Sequence, residues 1–167
     1  MESARVKSGA PAPPPASGVR YPPPLAFAIP FAIGYVLDRV MPMPLVGPQR
    51  RIASLVAGVV IAAGGIVLAG WAARTFRRAQ TPVNPFQPST ALVRQGPFRF
   101  SRNPMYVGMS ILALGLALVV NSFWPILFLP VSLVVVYATV IRREESYLST
   151  RFGAAYDDYR RHVRRFL

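Results

Sequence analysis

Two short stretches of this sequence hold side chains that could grip and orient a charged small molecule. In the first, Arg99, Arg102, Asn103 and Tyr106 fall within residues 95–108; in the second, Glu144, Glu145 and Tyr147 fall within residues 142–153. Arginine presents a planar fork that binds a carboxylate through two parallel hydrogen bonds. Glutamate accepts bonds from hydroxyls or an ammonium, and a tyrosine ring can stack on a base or face a cation. Brought together in a low dielectric, this mixture suits a zwitterionic ligand. The alternative for the same residues is structural. Arg102 could pair with Glu144 or Glu145 at a helix mouth, and Gly96-Pro97 and Asn103-Pro104 could be turn and helix-start residues, since proline suits the first helical position.

Other chemistries are excluded by composition. The chain has no cysteine and one histidine, His162. Disulfides, thiolate nucleophiles and histidine metal sites are therefore out of reach, and no metal is expected. The net charge is +13, almost all from arginine, while 53% of the 167 residues are apolar. No nucleic-acid-binding module is visible, so no nucleic-acid partner is expected. The arginines flank apolar runs, at Arg74, Arg77 and Arg78 and again at Arg160, Arg161, Arg164 and Arg165. That is the pattern of charges that hold membrane segments in orientation.

The elements that must position these residues follow from the apolar runs. Residues 1–24, rich in proline, alanine, serine and glycine, read as a disordered or extended segment. A retained first membrane helix is expected from about Leu25 to Val40, kinked at Pro30. A second runs from about Ile52 to Phe76, long enough for a bilayer core of ~30 Å. Gly58, Gly64, Gly65 and Gly70 would let a neighbouring helix approach it closely. A long polar connection containing residues 81–88, too rich in proline for a helix, leads to Asn103. A helical hairpin is then expected, from about Pro104 to Val120 and from about Phe123 to Ile141, with Asn121-Ser122 as its turn. Residues 142–167 read as an amphipathic helix in which Gly153 marks a bend. The fold class is thus all-α integral membrane, with about four transmembrane helices and an amphipathic C-terminal helix. The units are residues 1–24, the first two membrane helices in 25–76, and a core in 77–167. The connection and the tail are arginine-rich and the hairpin turn is uncharged, which puts connection and tail on the cytoplasmic side of a multi-pass protein of the inner or plasma membrane. Arg50 and Arg51 run against that pattern.

The pattern from Gly96 to Gly108, Gly-Pro-Phe-Arg-Phe-Ser-Arg-Asn-Pro-Met-Tyr-Val-Gly, resembles the hallmark of the isoprenylcysteine carboxyl methyltransferase and phospholipid methyltransferase superfamily. So does the tail pattern that begins at Glu144-Glu145 and runs through Leu148, Phe152-Gly153, Tyr156, Tyr159 and Val163 to Arg165. The resemblance implies a membrane enzyme that uses S-adenosylmethionine, whose carboxylate, ammonium, sulfonium and adenosine match the mixture above. It also implies a lipophilic or lipid acceptor that enters from the bilayer. Gly96, Pro97, Arg99, Arg102, Asn103, Pro104, Tyr106 and Gly108 would line the cofactor pocket. Glu144 and Glu145 would hold its hydroxyls or amino group, and Tyr156 and Tyr159 would sit in the closing tail. Arg102 and Glu145 are the residues expected to serve the chemistry, Arg102 as an anchor and Glu145 as a base if the acceptor is an amine or thiol. Many members have histidine where this chain has Asn103; asparagine cannot titrate near neutral pH, so a base at that position is not expected.

Two rival readings remain. Membrane reductases of the sterol-reductase type bind a nicotinamide cofactor in a related architecture, but their motif often ends Tyr-x-Gly-Glu, and here Met109 comes after Gly108. A non-enzymatic membrane scaffold would not need two polar clusters in register.

Overall fold

A computed structural model describes residues 18, 19 and 21–166. Most of the expected disordered segment, residues 1–17, lies outside the described residues. Its described end is packed: Val19 is buried, and the Tyr21 hydroxyl bonds that of Thr139.

The described residues form helices and connecting loops, with no strand among them. Helix α1 spans Leu25–Val40, α2 Arg51–Arg78, α3 Pro104–Val120, α4 Trp124–Val136, α5 Arg142–Phe152 and α6 Ala154–His162. Prolines sit at or next to the first residue of α3 and α4, where the missing N–H costs nothing. Segment Pro48–Arg78, which includes α2, and segment Trp124–Phe152 are long and apolar enough to cross a membrane. Helices α1 and α3 are also apolar but shorter, at 16 and 17 residues.

The expected hairpin of α3 and α4 is present as a sharp turn, but its two arms pack chiefly on other helices. Helix α3 lies along α2, and α4 lies along α1. Glycine explains the first pairing. A Cβ at Gly65 would stand 2.5 Å from the Gly108 carbonyl oxygen, and one at Gly115 would stand 2.4 Å from the Ala62 nitrogen. No other residue fits there, so the backbones of α2 and α3 touch directly. Gly58 takes part in the same contact, whereas Gly64 and Gly70 face open space. The turn is set by Asn121, whose left-handed backbone closes α3. The Asn121 side chain accepts from the Val46 N–H and donates to the Val46 carbonyl, both at 3.0 Å.

The expected single tail helix is instead two helices, and the first is continuous with α4. A π-helical turn, Tyr137–Ile141, joins α4 to α5 without a break. Each wide turn holds one more residue than an α turn and so rotates the helix beyond it. Gly153 then ends α5 with φ +50 and ψ −129, a region open in practice to glycine alone. Helix α6 turns back there, toward the N-terminal end of α3.

Candidate active site

At the end of the bundle away from the Asn121 turn, the chain encloses a cavity of about 380 Å³. That volume lies in the range of small-molecule sites, ~300–1,000 Å³. Its framework is the start of α3. Pro104 begins the helix and the preceding residues are tied to the tail: Arg102 N–H to the Arg164 carbonyl at 2.9 Å, and Asn103 Nδ2 to the Arg165 carbonyl at 2.9 Å. Asn103 is buried, and its amide is used in holding the tail.

Charge gathers around Glu145. Arg165 grips it bidentately, Nε to Oε1 at 3.0 Å and Nη2 to Oε2 at 2.8 Å. Arg102 Nη1 reaches the same Oε1 at 3.0 Å and donates to the Tyr156 hydroxyl at 3.3 Å. Two guanidinium groups on one carboxylate leave a net positive charge. Among the described residues, Arg102 Nε is buried with no partner. Behind this cluster the Arg165 guanidinium lies over the Tyr137 ring, 5.0 Å from its centre, so the π turn backs the ion pair.

Glu144 is placed differently. Its carboxylate accepts from the Tyr106 hydroxyl at 3.3 and 3.4 Å, and no other protein partner meets it among the described residues. The cavity thus has a free carboxylate beside a cationic cluster. Tyr156 and Tyr159 close the tail side. Tyr159 donates to the Phe98 carbonyl at 2.7 Å. Burial pushes both phenols above their usual range, so both remain neutral donors.

Of the residues expected at a cofactor pocket, Arg102, Asn103, Pro104, Tyr106, Glu144, Glu145, Tyr156 and Tyr159 line this one cavity. Gly96, Pro97, Arg99 and Gly108 do not line it. Gly96 has φ +60, and a Cβ there would stand 2.9 Å from Thr75 Oγ1, so it seats the loop on α2. Pro97 is buried beside it. Arg99 is exposed near the Phe100 ring. Gly108 is the α2–α3 contact. Tyr147, offered by the sequence as a stacking ring, also lines the cavity, whereas Arg165 and Phe98 were not among the expected site residues. Phe98 lines it as well, and Tyr147 accepts from the Ser89 N–H at 3.0 Å, fixing the proline-rich loop over the site. The position of Arg165 at the end of the tail pattern was the one available sign of its role.

The described residues thus form a helical bundle with a mixed-charge cavity at one mouth. The phospholipid methyltransferase family matches residues 53–155, more than half of the chain, and the chain belongs to that family. Protein-S-isoprenylcysteine O-methyltransferase of Schizosaccharomyces pombe is 36% identical over 72 residues, covering 43% of this chain and 30% of that protein. The match therefore spans under a third of that relative's length. No solved structure matches the chain. Neither match lends support to the nicotinamide-reductase alternative.

Proposed function

We propose that the protein transfers a methyl group from S-adenosylmethionine to a lipophilic acceptor, in the cavity between the start of α3 and helices α5 and α6. The observation that carries this reading is the division of charge: Glu145 is held by two arginines while Glu144, one residue away, meets only the neutral Tyr106 hydroxyl. The cationic cluster, with the unpartnered Arg102 Nε, fits a carboxylate, and Glu144 fits an ammonium or ribose hydroxyls. When bound, the cofactor supplies an electrophilic methyl on its sulfonium. The protein's part is to hold both ligands in line and exclude water. The loop residues Pro82, Val83 and Pro85, with Phe76 and Phe98, supply apolar cover.

Where the acceptor is an amine or thiol, we assign the base to Glu144 and not to Glu145, whose oxygens already accept from guanidinium groups. An acceptor carboxylate needs no base. In this reading α1 to α4 all cross the bilayer, α1 and α3 with thinner spans than α2, and the cavity opens on the cytoplasmic face. The units 25–76 and 77–167 meet in the α2–α3 contact.

Purified protein should gain thermal stability from S-adenosylmethionine and move labelled methyl into a crude lipid extract. Arg102→Lys keeps the charge but loses the fork; it should insert normally and lose most of both effects. Arg78→Lys, outside the cavity, should be silent. Equal ligand-induced stabilisation in all three proteins would remove Arg102 from the site.

A further inference from the structure

The segment just before α1 closes one side of the same cavity, and it lies outside the family-matched residues 53–155. Pro23 and Pro24 line the cavity beside Met105, Tyr106 and Met109. Val19, 6% exposed, packs in one cluster with Phe27, Tyr106 and Val140, with Met109 against it. Two latches hold the segment to the joint of α4 and α5. Tyr21 and Thr139 share a hydroxyl–hydroxyl bond, and Arg143 donates to the Gly18 carbonyl.

The three consecutive prolines of this wall offer a polar ligand no N–H, and each of their carbonyls already accepts a bond. Their carbonyls accept from α1: Pro22 from Leu25 at 3.0 Å, Pro23 from Ala26 at 3.0 Å, and Pro24 from Phe27 and Ala28 at 3.1 and 2.9 Å. A surface without free donors, with its acceptors used, favours hydrocarbon and penalises groups that need hydrogen bonds. The ionic side of the cavity is built from α3, α5 and the tail, whereas Pro23 and Pro24 bring apolar rings to it.

Building on the methyltransferase reading, we propose that Pro23 and Pro24, backed by Val19, form the acceptor-side wall and select an acceptor with an uncharged hydrocarbon body. The chain segment that chooses the substrate is then separate from the segment shared with the family.

The absence of native cysteine allows a direct test. Met109→Cys places one thiol beside the wall, to be labelled with N-phenylmaleimide. Dodecanol should slow this labelling severalfold, and glycerophosphocholine should not. Adding Pro24→Asp should abolish the protection by dodecanol while S-adenosylmethionine still raises the melting temperature. Should Pro24→Asp fail to fold, Tyr21→Phe releases one latch and should speed labelling at Met109→Cys roughly two- to tenfold. Ser122→Cys, buried at the opposite end, should label no faster in that background. No protection by dodecanol, protection that survives Pro24→Asp, or an equal rise at Ser122→Cys would overturn the proposal. The labelling needs no cofactor, so a failure of S-adenosylmethionine to stabilise the parent would count against the methyltransferase reading alone.

Discussion

The two ends of the bundle use polar side chains in opposite ways. At the Asn121 end each partner is close by and most are backbone. Arg51 donates to the Leu118 and Val119 carbonyls at 3.4 and 2.7 Å, capping the last turn of α3. Ser122, fully buried, donates to Asp38 at 2.8 Å, and Asp38 also accepts from the Met43 N–H. Trp124 Nε1 donates to the Met41 carbonyl at 2.7 Å. These bonds close a loop. At the other end charge pairs with charge around a cavity, and some capacity is left over: one carboxylate and one guanidinium N–H. Short closing bonds at one end and paired charge around a cavity at the other separate a clasp from a candidate binding site. The comparison also gives Arg51 a function. A cation that runs against the charge asymmetry of the chain is spent on helix carbonyls.

The strongest way to break this contrast is to empty the centre of the cavity cluster. Glu145→Ala leaves Arg102 and Arg165 facing each other without an anion. Removing one partner of a buried ion pair costs about 3–5 kcal/mol, and the low end applies because the side chain is 18% exposed. The melting temperature without ligand should fall sharply and binding of S-adenosylmethionine should be lost. A melt near that of the parent would mean the cluster carries no structural weight.

Glu144→Gln should show the reverse profile, with a nearly unchanged melt and weaker ligand binding. Loss of one charge-assisted bond corresponds to roughly 10- to 100-fold in affinity. Isothermal titration with S-adenosylhomocysteine would read it, and affinity equal to that of the parent would withdraw Glu144 from the site.

At the clasp, Ser122→Ala removes one donor to Asp38, which keeps its bond from Met43. A loss of about 1 kcal/mol in stability is expected with no change in affinity. A change in affinity would show that the two ends are coupled.

The smallest effect concerns alkaline pH. The Tyr159 phenol is held above its usual range of about 10 by burial. Below that pH it is protonated in both folded and unfolded chains, and its contribution is intact. Above it the unfolded chain ionises first, so stability declines as pH rises. Tyr159→Phe should lower the melt slightly at neutral pH, through loss of the Phe98 bond, and flatten the alkaline decline. An identical decline in both proteins would assign it to other groups.

The sequence made the helices legible where chemistry punctuates them. Pro24 before α1, Asp38-Arg39 near its end and Asn103-Pro104 before α3 set bounds that the structure reproduces. It also indicated which residues would gather, because Arg102, Tyr106, Glu144 and Glu145 flank apolar runs. Three features had no local signature. The π turn at Tyr137–Ile141 is a change of hydrogen-bond partner within an ordinary apolar sequence. The grip of Arg165 on Glu145 spans 20 residues and depends on the chain reversing at Gly153. Gly108, at the end of the motif, reads as room for a ligand but is room for a neighbouring helix. Only the pairing of α3 with α2, which apolar runs do not encode, distinguishes the two.

The π turn has a consequence for how this chain can vary. An α-helix turns about 100° per residue, so adding or losing one residue in a membrane span would swing every side chain beyond it to another face. Tyr137–Ile141 already accommodates one residue out of phase, immediately before Glu144 and Glu145. A one-residue deletion upstream in α4 could be balanced by tightening this turn to an α turn, and an insertion by widening it further. The thickness of bilayer spanned and the aim of the two glutamates can therefore change separately.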